Sequence, residues 1–142
     1  MGLRLQIKGG TDTIVLDEHS ITSARFFTDT PDDSNARSTD VVNTMKIEGK
    51  ILTPVGGVLQ DDTLKIAKWS KVRAEVADSY RVVELEVVLA DVVVRKITFP
   101  IAFVVDYDEH YHDTEGVGTF LLTVRQKKDK FEMTEIAGGF GV

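Results

Sequence analysis

From Tyr80 to Gln126 the chain alternates β-branched and aromatic residues with charged ones and contains few breakers. A period of two is the signature of strands with one face on a core and the other in water. The stretch therefore predicts consecutive antiparallel strands at Tyr80 to Leu89, Val92 to Phe99, Ile101 to Tyr107 and Val117 to Gln126. A shorter strand is predicted from Phe131 to Ile136. In the first of these, Val83, Leu85, Val87 and Leu89 share one face, opposite Val82, Glu84 and Glu86. Pro100 has no amide hydrogen to give to a ladder, so it predicts a bulge, an edge or a strand break. The front half repeats the pattern. Leu3 to Lys8 and Thr13 to Leu16 flank Gly9-Gly10, which supplies the positive φ values of a tight hairpin, and Ile21 to Phe27 follows. Val41 to Thr53 places Val41, Met45, Ile47 and Ile51 on one face and Lys46, Glu48 and Lys50 on the other.

Two segments break the alternation. Asp61-Asp62-Thr63 precedes Leu64, Ile66, Ala67 and Trp69, and Lys68, Lys71 and Arg73 lie toward the other end. Acids first and bases last complement a helix dipole, so a helix is predicted from Asp62 to Val72, with Trp69 packing it against the sheet. The second segment, Thr28 to Asp40, reads TDTPDDSNARSTD and has no apolar periodicity. A loop of this length is either a solvated connection or an arm that orders against a partner. On the second reading Asp29, Asp32, Asp33, Arg37 and Asp40 are the candidate inter-subunit contacts. The C-terminal run Gly138-Gly139-Phe140-Gly141-Val142 reads as flexible.

Composition narrows the picture. The 142 residues fit one domain, 1–142, and 42% hydrophobic content suffices for a core. A net charge of −6 argues against broad attraction to nucleic acid or anionic lipid. It leaves Arg125, Lys127, Lys128 and Lys130 as a local basic run, read as a polar turn or as one half of a charge-complementary contact. The absence of cysteine excludes disulfides, thiolate nucleophiles and cysteine zinc sites. Met1 to Gly10 lacks the apolar stretch of a signal peptide, and the apolar runs are too short to span a bilayer as a helix. The expectation is cytoplasmic synthesis and no membrane binding by the chain itself.

Candidate chemistry is sparse. Asp106, Asp108, His110 and His112 would project to one face of an extended strand, which is a conceivable divalent-metal site. Their spacing matches no metal motif, and the run leads into Asp113-Thr114-Glu115-Gly116, so a solvated hairpin tip is the stronger reading. The serines occupy no G-x-S-x-G elbow, no H-E-x-x-H pattern occurs, and the glycine pairs lack a phosphate-loop context. No catalytic, cofactor-binding or metal residue is assigned.

The order of elements resembles the tail-tube family of contractile injection systems and phage tails, with the Hcp tube proteins of type VI secretion nearest in layout. Asn35 to Asp40 leading into Val41 to Ile51 is similar to that family's loop and strand before its helix. Asp62 to Val72 is similar to the helix, and Thr98 to Tyr107 with Val117 to Gln126 to the final strand pair. The resemblance implies a mainly β fold, an antiparallel barrel or sandwich with one helix packed on it. It implies no catalysis and no cofactor. It also implies six-membered homo-oligomeric rings that stack into a hollow tube, sheath and baseplate proteins as partners, and assembly in the cytoplasm, with a virion or released particle as the destination. An acidic wall suits DNA or another anionic cargo. Three other readings stand beside it: a baseplate or tube-initiator ring protein, a membrane-associated protease or other hydrolase, and a stand-alone ligand-binding barrel.

Overall fold

The computed structural model describes residues 1–10, 12–29, 41–51, 62–113, 118–127, 130 and 133–141. Its strands are β1 (Gly2–Gly9), β2 (Asp12–Leu16), β3 (Ile21–Asp29), β4 (Val42–Ile51), β5 (Arg81–Leu89), β6 (Val92–His110), β7 (Gly118–Gln126), β8 (Glu135–Ala137) and β9 (Phe140–Gly141). One helix, α1 (Asp62–Ser70), and a short 3-10 turn at Ala77–Ser79 lie between β4 and β5. The nine strands make a single antiparallel sheet in the order β2-β1-β5-β6-β7-β4-β3, with β8 and β9 attached to β6. The sheet is mainly β as expected, but it does not close into a barrel; β2 and β3 are its two ends. It curls around one core that joins Leu5, Ile14, Met45, Leu85, Phe99 and Leu122 to Ile66 and Trp69 of the helix.

The predicted alternation holds on β4 from Met45 onward, where Met45 and Ile47 are fully buried while Lys46, Glu48 and Lys50 are exposed. It fails where Asn43, Thr44 and Met45 on β4 and Leu122, Thr123 and Val124 on β7 are buried in succession, and again at the end of β5. The register with β6 shifts between Val87 and Val88, where Val94 is the extra residue on β6, and there Val88 is buried while Leu89 faces solvent. Of the three outcomes expected at Pro100 the bulge is the one found, and the two strands predicted on either side of it are one: β6 runs unbroken for 19 residues. Pro100 falls at the register shift opposite Arg81 and Val83, where the ladder needs no donor from it. Alongside, the buried Gln126 accepts from the Ile101 amide (3.1 Å) and donates to the Lys130 carbonyl (3.1 Å).

The C-terminal segment corrects two further expectations. The predicted strand from Phe131 is three residues, Glu135–Ala137, paired with residues 96–98 of β6. The glycine-rich end is not loose, since Phe140 and Gly141 pair with Val93 and Val92. Gly138 serves close approach, because a Cβ there would lie 2.3 Å from the Val94 carbonyl oxygen, and Gly139 takes a positive φ of 79°.

The helix ends at Ser70, two residues short of expectation, and the amides of Lys71 and Val72 bond back to Lys68 and Trp69. Trp69 does pack α1 on the sheet, 2% exposed, and its indole N–H donates to the Ser79 carbonyl at 3.1 Å. Arg81, also buried, lies over the indole (5.2 Å to the ring centroid) and grips both carboxylate oxygens of Asp78 at 3.2 and 2.8 Å. A two-point guanidinium–carboxylate bond is the geometry in which a buried charge is best offset. The stem of Arg81 occupies the space a side chain at position 9 would need, which fixes Gly9 there.

The β5–β6 turn is strained. Ala90 and Asp91 both have positive φ, 51° and 62°, as a type I′ hairpin requires, and neither is glycine. Replacing Ala90→Asn together with Asp91→Gly should stabilise the fold by about 1 kcal/mol, read as a higher denaturation midpoint. An unchanged or lower midpoint would show that the turn is not strained.

Candidate assembly surface

The face of β6, β7, β4 and β3 that points away from the core is laid out by their register. Phe103, Arg125, Thr44 and Phe27 form one row across the four strands, and Asp106, Thr123, Lys46 and Arg25 form the next. The Arg25 guanidinium stands 4.8 Å from the Phe27 ring centroid and the Lys46 ammonium 6.0 Å from it. Arg125 donates from Nε to the Thr44 hydroxyl at 3.3 Å. Beyond Phe103, Tyr80 meets that ring edge-on at 6.1 Å, and Lys127 lies 5.6 Å over the Tyr80 ring. Arg25, Lys46 and Arg125 have no carboxylate partner among the described residues. A chain with a net charge of −6 thus carries three cations and two aromatics in two adjacent rows of one face, with Asp106 at the end of the second row.

The arm identified in the sequence begins in the last rungs of β3. Thr28 and Asp29, assigned there to the loop, are the last rungs of β3, opposite Asn43 and Val42. Asp29 is exposed and shares the outer face with Arg25 and Phe27. Asp32, Asp33, Arg37 and Asp40 lie outside the described residues. The root is held by the buried Asn43, whose carbonyl accepts from the Thr28 hydroxyl (2.8 Å) and whose amide donates to the Thr134 hydroxyl (3.0 Å). Chain exit, chain return and C-terminal segment therefore meet at one side chain.

Sequence reasoning noticed Arg125 and Lys127 and missed Arg25, Phe27 and Lys46. The signal was present: Arg25 and Phe27 have the outward parity of β3, as Lys46 has on β4. What the sequence lacked was the register that sets them side by side.

The acidic and histidine cluster is split by β6. Tyr107 and Glu109 turn to one face, with Tyr107 stacked 6.4 Å from Phe120, and the Glu109 carboxylate accepts from the hydroxyls of both Tyr107 and Tyr111. His110 pairs with Thr119 and meets the His112 ring edge-on at 4.6 Å. Among the described residues no three His, Asp or Glu side chains are placed to hold a metal ion. Nor is any helix among them long and apolar enough to cross a membrane. A cavity of about 180 Å³ between α1 and β6, lined by Trp69, Tyr80 and Phe103 among others, gathers no set of titratable groups. Replacing both histidines with alanine should change stability by no more than about 0.5 kcal/mol. Stoichiometric zinc in the purified protein that disappears in the double variant would contradict this.

No family model matches the chain, and no curated protein matches its sequence. Its fold matches solved structures along almost its whole length. It is similar to Hcp1 from Flavobacterium johnsoniae (TM-score 0.53, 15% identity, covering 97% of this chain and 96% of that one). It is similar to a chain of the anti-feeding prophage baseplate (TM-score 0.54, 12% identity, 96% and 92%). It is also similar to a chain of the cap that terminates the anti-feeding prophage tube (TM-score 0.51, 10% identity, 96% and 89%). At these identities the likeness establishes the fold, and this chain has the Hcp-like tail-tube fold.

Proposed function

We propose that the protein is a structural subunit rather than an enzyme, closing into six-membered rings that stack as the hollow inner tube of a contractile injection system, phage tail or tailocin. The observation that carries this reading is the likeness of fold, over nearly the entire chain, to an Hcp protein and to the baseplate and tube cap of a phage-like particle. The surface supports it. The arm, with Asp29, Asp32, Asp33 and Asp40 against the single Arg37, is acidic, and the outer rows carry Arg25, Lys46 and Arg125 against the single Asp106. In a stack, the arm of one copy lies against the rows of the next. Sheath and baseplate proteins are the further partners, the lumen carries DNA or protein, and assembly precedes release of the particle from the cytoplasm. The baseplate likeness favours one second reading, a ring that initiates the tube rather than extending it.

Ring closure calls for an interface on the order of 1,000 Å² or more per contact, enough to hold at micromolar concentration. Sedimentation velocity should show a ring species, and negative-stain imaging should show stacks. Replacing residues 30–40 with a short Gly-Ser link should leave the melting midpoint nearly unchanged and shorten stacks to single rings. Lys46→Glu should weaken stacking in the same way, and its pairing with Asp32→Lys and Asp33→Lys should restore part of it. A monomer at every concentration would defeat the ring. Stacks of normal length without the arm would defeat its stacking role and leave the ring standing.

A further inference from the structure

A curled sheet that stays open has two terminal strands, and the free backbone groups of such a strand are a template for pairing with another chain. At β2 two of these groups are occupied. Within the β1–β2 ladder, Lys8 faces Thr13 and Gln6 faces Val15. Alternation in an antiparallel pair sends the backbone groups of every second residue away from the partner. Thr13 and Val15 are two apart and both reach outward, to α1. The Val15 amide donates to the Asp62 carboxylate at 2.8 Å, and the Thr13 carbonyl accepts from the Lys65 ammonium at 3.1 Å. Asp62 and Lys65 also pair with each other at 3.5 Å, one turn apart on the helix.

We propose that Asp62 and Lys65 form a guard that closes the β2 edge to strand addition by a second copy of this chain, leaving only other surfaces for assembly. The two side chains supply an acceptor and a donor in the places where an incoming strand would offer its own carbonyl and amide. They also put charge where such a strand would have to lie, and inward charge at an edge is a recognised barrier to edge-to-edge pairing. Packing does not require these two residues, because Ile66 and Trp69 bury the inner face of the helix while the Lys65 side chain stays 40% exposed. Asp62 stands in the first turn, where an acid favours the helix dipole, yet its Oδ2 accepts from the β2 amide.

The test uses the full chain with Asp62→Ala and Lys65→Ala combined, which removes one charge of each sign and leaves the net charge unchanged. The expected result is a native circular dichroism spectrum, loss of uniform sedimentation, and growth of β-rich, thioflavin-positive aggregates that the wild type lacks. Asp62→Asn with Lys65→Arg keeps both hydrogen bonds and should behave as the wild type. Val15→Pro added to the double-alanine variant removes the outward amide and should cancel the new association, whereas ring closure through other surfaces should survive it. Unchanged association of a folded double-alanine variant would overturn the proposal, as would association that Val15→Pro does not reduce. If the double-alanine variant does not fold, Asp62→Ala alone carries the same comparison.

Discussion

The structure depends on one strand. Across its 19 residues β6 pairs with β5 along one edge and with β9, β8 and β7 in turn along the other. Both halves of the sheet, and the C-terminal segment, are therefore built on a single backbone ladder. The strand serves two environments by shifting register near Pro100 and again between Val104 and Asp106. Val93, Ile97 and Phe99 line the core before these shifts, and Phe103, Asp106 and Asp108 stand on the outer face beyond. Bulges bend a strand and increase its twist, so these irregularities, with a third at Val93 to Arg95, let one continuous strand belong to a curled sheet.

A sheet curled this way but left open needs some means of handling its ends. At β2 the means is α1, which adds polar bonds to the edge while Ile66 and Trp69 fill the core beneath. Beside β2, the indole, Arg81 and Asp78 lock helix, 3-10 turn and β5 together through a doubly hydrogen-bonded charge pair in which Arg81 is buried and Asp78 is partly exposed. On the far side the surface is different in kind. Cations and aromatics line the outer face of β3, β4 and β7, next to the root of an acidic arm. Charge is thus segregated over the molecule, which favours defined contacts between copies over indiscriminate ones.

Much of this was legible in the chain. The inward set Met45 and Ile47, the hairpin at Gly9-Gly10 and the helix carrying Trp69 all follow from period and turn chemistry, which are local. The misses are long-range. Whether Pro100 ends a strand or rides through a bulge depends on β5 and Gln126, neither of which is its sequence neighbour. Gly138 reads as flexible because composition cannot show a β6 backbone close enough to exclude a side chain. The burial of Val88 and exposure of Leu89 occur beside an extra residue, Val94, on the neighbouring β6. The basic rows escaped notice because Arg25, Lys46 and Arg125 lie far apart in sequence and meet only through the register of three strands. Asp62 was placed in a helix start correctly, but its bond to β2 is a tertiary contact that no helix rule contains.

The central claim is that this fold is a subunit built to assemble into rings. Native mass spectrometry of the purified full-length chain tests it most directly. The account predicts a discrete species at a six-fold multiple of the 15.7 kDa chain, with its stacks at integer multiples of that ring. A single 15.7 kDa species across the micromolar range, or a continuum of masses without a closed ring, would contradict it.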